Sequence, residues 1–224
     1  MTITQAEENH LKAIFKIIEK EEGPALTNAI AAAMQTTAAS VTDMLKRLAE
    51  KNLIVYEKYR GVQLTAEGVR IATSLIRKHR LWEVFLTEKL GFAWDEVHDM
   101  AEQLEHVQGD DLVSRLDAFL GCPKFDPHGD PIPDADGRWA YRKQSLLATL
   151  QPGDHGVVTG VEDHSAAFLQ YLDLMGLSLE AQLRLLERYP YDDSVRIRTG
   201  DGRELVLSEK VTRNLYVNLV MSDE

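Results

Sequence analysis

Ile54-Val55-Tyr56-Glu57-Lys58-Tyr59-Arg60-Gly61-Val62-Gln63-Leu64-Thr65 reads as two β-rich runs around Tyr59-Arg60-Gly61, with Gly61 able to supply the tight bend. Basic residues lie near the tip of this hairpin. Upstream, Leu11, Ile14, Phe15, Ile17 and Ile18 recur at helical spacing, and Glu19 to Pro24 ends that helix. Thr27 is placed to cap a short second helix carrying Ala29, Ile30, Ala33 and Met34. Gln35-Thr36-Thr37 forms a turn, and a third helix runs from about Ala38 to Lys51 with Val41, Leu45 and Leu48 inward. Helix, helix, turn, helix and basic hairpin together make a winged helix-turn-helix pattern. The small residues that open the third helix let its backbone enter a major groove. Thr37, Ala39, Ser40, Thr42, Asp43 and Arg47 would then face DNA, with Lys58 and Arg60 of the wing on phosphates. The plainer alternative is a small helical domain with an ordinary basic surface.

Charge supports the DNA reading. The 224-residue chain carries a net charge of −11, unevenly spread. Residues 41–80 hold nine bases against four acids, while residues 81–136 hold three bases against fourteen acids. One segment suits anions and the next suits cations. Cys122 is the single cysteine, so no internal disulfide forms. No apolar run reaches the roughly 18 residues that span a bilayer, and the acidic N-terminus lacks the layout of a signal peptide. The expected compartment is the cytoplasm, with no membrane partner.

The acidic segment contains His98-Asp99-Met100-Ala101-Glu102-Gln103-Leu104-Glu105-His106. On a continuous helix, at about 100° per residue, His98, Glu102, Glu105 and His106 share one arc about 100° wide. Imidazole beside carboxylate suits Mn, Fe, Co, Ni or Zn dications. A solvated acidic face with two incidental histidines fits the same spacing. Just before it, a long helix from about Ala66, capped by Thr65, reaches Leu90 and carries His79 and Glu83 four residues apart. Asp111 to Leu120 is a further amphipathic helix. Gly121 to Gly137 is a loop with four prolines in which Asp126-Pro127-His128 offers either ligands or a rigid polar turn. Arg138 to Gln151 reads as a connector with helical character at Ser145 to Leu150. From Pro152 the pattern changes to short β runs, His155 to Glu162, Leu183 to Arg188, Ser194 to Arg198, Glu204 to Leu207 and Leu215 to Val220. One helix, Ser165 to Met175, and an Asp201-Gly202 turn interrupt them, as in a small barrel.

Taken together, these motifs resemble the diphtheria toxin repressor family of metal-dependent transcriptional regulators, including its manganese transport regulators. Arg77-Lys78-His79-Arg80-Leu81 with Glu83, Val97-His98-Asp99 and Glu105-His106-Val107 resemble the family's central motifs. Tyr56 to Gly61 resembles the wing of the manganese branch, and Phe125-Asp126-Pro127-His128-Gly129 the loop of its longer members. Phe168-Leu169-Gln170-Tyr171-Leu172 resembles their SH3-like (FeoA-like) tail. The resemblance implies a mainly α fold with small β parts. A winged helix-turn-helix would occupy 1–74, a helical dimerisation and metal-binding domain 75–140, a linker 141–151 and an SH3-like β-barrel 152–224. It also implies a homodimer that binds a palindromic operator in double-stranded DNA when loaded with metal, and controls metal-uptake genes. The regulatory site would use Asn9, Glu102, Glu105 and His106, and a second site His79, Glu83 and His98. Asp126, His128 and Asp163 would complete a site from the loop and tail. The chain departs from relatives at several of these positions. Glu102 stands where iron-sensing members have cysteine, and this harder ligand favours Mn²⁺. Asn9 stands where others have Asp or Met, and Asp126 where some have cysteine. Lys12 replaces a glutamate that bridges two ions in some manganese sensors. Iron is the alternative metal, with zinc or cobalt as in vitro substitutes. A metallohydrolase is the rival from another class, disfavoured by the absence of an HExxH arrangement. A winged-helix sensor of a small organic ligand is a third reading.

Overall fold

The computed structural model describes residues 3–57 and 60–220. It divides into two compact units. One holds the chain up to His79 together with Leu104–Asp110 and Pro133–Arg138. The other holds Arg80–Gln103, Asp111–Ile132 and the chain from Trp139 onward. The fold is mainly helical, with an antiparallel tail sheet, as the sequence predicts.

The first unit opens with α1 (Gln5–Glu21), α2 (Thr27–Ala33) and α3 (Ala38–Glu50), followed by β1 (Ile54–Glu57) and β2 (Gly61–Leu64). Thr4 caps α1 in a reciprocal box with Glu7, which satisfies two backbone donors at the helix start. Thr27 does not cap α2. It is the first helical residue, and Leu26 holds the cap position without a side-chain bond. Thr37 does cap α3, accepting from the Ser40 amide. Leu11, Ile14, Ile30, Val41, Leu45 and Leu48 are fully buried, as their spacing predicts, and Val62 of the hairpin joins them. β1 and β2 pair antiparallel as a two-stranded sheet, and Ala25 adds an isolated bridge to Val62. Gly61 has φ +97, and a Cβ there would lie 3.0 Å from the Ala25 carbonyl oxygen, so this bend requires glycine.

The two ends of this domain are tied by charge. Glu7 Oε1 lies 2.7 Å from Lys51 Nζ, at the C-terminal end of α3. Burial opposes ionisation of Glu7, but Lys51 and the Thr4 cap hold the carboxyl below its ordinary range. Because the folded value is lowered, its contribution exists above the unfolded value of about 4.3 and is lost as pH falls through the folded one. Glu7→Gln is expected to cost about 1 kcal/mol at pH 7 and progressively less as the pH is lowered below the ordinary carboxylate range, measured by urea unfolding across a pH series.

α4 (Ala66–Leu90) starts with Thr65 Oγ1 accepting the Gly68 amide. It runs from the first unit into the second. α5 (His98–Leu104) and α6 (Asp110–Phe119) follow. In the second unit Leu81, Val84, Leu116 and Ile132 form one small core, with Trp82 and Phe85 against it. The connector is not helical as expected. Ser145–Leu146 is a two-residue strand, β3, and Leu147–Thr149 is a single 3-10 turn. Then come β4 (His155–Val161), α7 (Ala166–Met175), β5 (Gln182–Arg188), β6 (Val195–Thr199), β7 (Glu204–Leu207), α8 (Glu209–Thr212) and β8 (Leu215–Leu219). Their order across the antiparallel sheet is β3-β8-β4-β5-β6-β7, with bulges in β4 and β5. Leu147, Leu169, Leu172, Leu177, Leu185, Ile197 and Val217 fill the core of this domain.

Candidate metal centres and nucleic-acid interface

The arc of four ligands predicted on one helix does not form. α5 ends at Leu104, and Glu105 and His106 lie in the turn beyond it, closed by a Val107 amide to Leu104 carbonyl bond of 3.0 Å. Leaving the helix turns Glu105 wholly inward, where it is 0% exposed. Its Oε2 accepts from Lys12 Nζ at 2.6 Å and from His79 Nδ1 at 2.6 Å. His79 Nδ1 cannot both donate to this carboxylate and accept from Lys12, which lies 3.3 Å away. The shorter, charged contact assigns it the proton. The same logic applies to His106, whose Nδ1 donates to Glu8 Oε2 at 2.6 Å. That leaves His106 Nε2 with a lone pair 3.9 Å from Glu105 Oε1, a buried oxygen with no hydrogen-bond partner. Two ligands each about 2.1 Å from a common ion lie up to about 4.2 Å apart, so this pair of atoms fits a divalent cation. Asn9 Oδ1 in the same unit is likewise buried and unpaired. Sequence reasoning missed Glu8. Its only signal is its place next to Asn9 on α1.

The second unit gathers Glu83, Asp126 and His128, whose ligand atoms lie within 4.8 Å of one another. All three are buried. Asp126 Oδ1 accepts the His128 and Asp130 amides at 2.9 and 3.0 Å, so the loop is the rigid polar turn and also carries two of the candidate ligands. Burial, Asp130 and Glu83 push the Asp126 carboxyl up, against Arg80 and His128. His128 Nε2 donates to the Trp94 carbonyl at 2.8 Å, which leaves Nδ1 buried, without a hydrogen-bond partner and 3.7 Å from Glu83 Oε2. A backbone acceptor that fixes the tautomer in this way is the usual support of a metal-bound imidazole. His98 Nδ1 lies 3.4 Å from Glu83 Oε1, and its Nε2 is 3.9 Å from Glu102, a half-exposed residue on the same helix. Asp163 accepts the Ser165 amide at the start of α7. Its neighbour His164 stacks on His128, with ring centroids 4.7 Å apart, and Trp94 stacks on the same ring at 6.1 Å.

Burial alone would lower the His128 imidazole, but Glu83, Asp126 and the Trp94 carbonyl outweigh it and raise the group to about 9. The metal-free fold therefore draws stability from protonated His128 below about pH 6.5, and loses it as pH rises through 9. A cation needs the neutral ring. Mn²⁺ affinity at Glu83, Asp126 and His128 is expected to climb across that interval, with close to one proton released per ion at pH 7.5. Calorimetry in two buffers of different ionisation enthalpy measures the release.

On the winged helix, Ala39, Ser40, Asp43 and Arg47 are exposed along α3, and Thr37 is exposed at its cap. Thr42 Oγ1 donates to the Ala38 carbonyl at 2.7 Å, and Asp43 pairs with Lys46 at 3.1 Å. Arg60 is exposed beside Gly61 and Gln63 in a shallow wing pocket of about 260 Å³. Lys58 lies outside the described residues.

A winged helix followed by helices that carry buried imidazole and carboxylate clusters defines a DNA-binding regulator with a metal-binding domain. Residues 2–62 match the iron dependent repressor N-terminal DNA binding domain, residues 65–134 its metal binding and dimerisation domain, and residues 146–219 the FeoA domain. A manganese-dependent transcriptional repressor solved in complex with manganese is 34% identical, with 96% of this chain and all of that one covered at a TM-score of 0.84. ScaR with bound Zn²⁺ is 32% identical over 96% of this chain and 99% of that one, at a TM-score of 0.77. The diphtheria toxin repressor of Corynebacterium jeikeium is 35% identical over 144 residues, 64% of this chain and 60% of that protein. IdeR of Mycobacterium leprae is 33% identical over 126 residues, 56% of this chain and 54% of that protein. The chain thus spans about three fifths or less of these curated relatives. It belongs to the diphtheria toxin repressor family of metal-dependent transcriptional regulators. These relatives are named as repressors, not enzymes. Among the described residues no helix is long and apolar enough to cross a membrane.

Proposed function

We propose that this chain is a manganese-responsive repressor that binds a palindromic operator as a homodimer and controls metal uptake. The observation that carries the reading is the pair Glu105 Oε1 and His106 Nε2, 3.9 Å apart, in the same compact unit as the winged helix. An ion held there by Glu105, His106 and Asn9 would supply positive charge between α1 and the turn at 104–106. Glu8 orients the His106 ring for it. Ordering α1 would in turn preset the spacing of the two α3 helices that operator half-sites demand. Moving from mostly inactive to mostly active takes roughly 5 kcal/mol of differential affinity, within reach of charged ligands. Glu83, Asp126 and His128 would hold a further ion, with His79, His98, Glu102 and Asp163 as the remaining candidate ligands. Every one of these donors is oxygen or imidazole nitrogen and none is sulfur, which favours Mn²⁺. The names of the sequence relatives favour iron as the second reading. Leu90, Phe92, Leu112 and Phe119, exposed in the second unit, supply an apolar surface for a second copy.

The test selects duplexes from a random-sequence pool with Mn²⁺-loaded protein, then titrates the selected duplex with Mn²⁺, Fe²⁺, Zn²⁺ and Co²⁺ in turn. An inverted-repeat consensus bound at the lowest free concentration of Mn²⁺ is expected. Equal binding without any metal would overturn the proposal.

A further inference from the structure

The tail sheet carries a row of bases that strand pairing disfavours. His155 of β4, Arg184 of β5 and Arg198 of β6 are register partners across three neighbouring strands. Like charges placed directly opposite one another cost stability. Arg198 is relieved by Glu204 Oε1 at 2.7 Å. Arg184 is exposed, and among the described residues its guanidinium has no acidic partner. The adjoining row runs from Val157 through Gln182 to Gly200, which has no side chain, so the surface dips beside the bases. A groove of about 390 Å³ results, lined by His155, Val157, Gln182, Arg184, Arg198 and Val220 among others. Sites for small molecules occupy roughly 300–1,000 Å³.

We propose that this groove binds a small organic polycarboxylate, two or three carboxylates on a short aliphatic backbone. The planar forks of Arg184 and Arg198 match carboxylates in two-bond geometry, and His155 takes a further one. Val157 and Val220 supply apolar wall for the carbon chain. Charge and size exclude the other anions. Residues 146–219 hold seven bases against eleven acids, and Glu204 continues the same row, so a long polyanion such as DNA is repelled. Strands lie about 4.8 Å apart, so the three bases span two such spacings, and a compact inorganic anion reaches only a neighbouring pair. The site involves none of the candidate metal ligands, and it stands whether or not the repressor reading holds.

The probe is propane-1,2,3-tricarboxylate, titrated by calorimetry into the full chain after metal has been stripped on a chelating resin, at low salt. Acetate and inorganic phosphate are the comparisons. The tricarboxylate is expected to bind once per chain and about tenfold or more tightly than either. Arg184→Gln should weaken it about tenfold, and Arg184→Lys, which keeps the charge without the fork, by less. Arg213→Gln, at a base already paired with Glu209, should change nothing. Without ligand, Arg184→Gln should melt at or above the wild-type temperature, because it removes the repulsion with Arg198. The tricarboxylate should then raise the melting temperature of wild type and not of Arg184→Gln. Phosphate binding as tight as the tricarboxylate, unchanged tricarboxylate affinity in Arg184→Gln, or a lower melting temperature of that variant without ligand overturns the proposal. A tenfold loss of duplex binding in Arg184→Gln would assign the face to DNA and overturn it as well. Should Arg184→Gln not fold, Val157→Glu decides: it sets a carboxylate in the groove, and full tricarboxylate binding by it sinks the proposal.

Discussion

Glu105→Ala is expected to lower Mn²⁺ affinity in the first unit by roughly 100-fold and to leave duplex binding indifferent to metal. It should also destabilise the metal-free protein by about 3 kcal/mol, because Lys12 and His79 stay buried without their shared carboxylate. The two effects have different origins and separate experimentally. Glu105→Gln keeps an oxygen acceptor for Lys12 and His79, so it should recover part of the stability while remaining deficient in metal binding. Calorimetric Mn²⁺ titration and thermal melts in chelator supply the readouts. Full metal response in Glu105→Ala would remove Glu105 from the regulatory centre.

Gly129→Ala is expected to cost about 3 kcal/mol and to abolish tight Mn²⁺ binding at Glu83, Asp126 and His128. Gly129 has φ +88, and a Cβ there would stand 2.1 Å from the Thr159 carbonyl oxygen and 2.5 Å from Gly160 Cα. Both are backbone atoms of β4, so no rotamer change relieves the contact. The loop would have to lift off the strand, breaking the Val161 amide to His128 carbonyl bond of 3.0 Å that sets the height of His128. Gly121→Ala is the control. Its φ is +77 but nothing lies within 4 Å of the added methyl, so it should cost only about 1 kcal/mol and leave metal binding alone. Equal melting temperatures for the two variants would show that the loop does not need its close seat on β4.

The winged helix was legible because its signals are local. The cap at Thr65, the 3.6-residue spacing of Leu11, Ile14, Val41, Leu45 and Leu48, and the glycine bend at Gly61 each act within a few residues, although the cap expected at Thr27 does not form. The tail strands were legible for the same reason, from their β-rich runs and the Asp201-Gly202 turn. The ligand geometry was legible only in part. Periodicity places Glu105 and His106 on a helix, yet the turn past Leu104 is held by Lys12, 93 residues from Glu105, and by Glu8, 98 residues from His106. No window of sequence contains such a pair. The proline loop was ambiguous in a different way. An Asx turn at Asp126 and a ligand set at Asp126 and His128 have the same spelling, and the burial that joins them to Glu83 is tertiary. At Ser145 to Leu150 the first two residues are drawn into pairing with β8, and the helical character expected there shrinks to the single 3-10 turn at Leu147–Thr149.

The tail sheet terminates on one side in β3, only two residues long, and on the other in β7, whose Glu204 is gripped by Arg196 and Arg198 from the neighbouring strand. A stub and a charged border offer little for a foreign strand to zip onto. Crowded copies of this chain, concentrated on a chromosome or in a test tube, should therefore resist fibril growth from this module even where its apolar Val206 faces water.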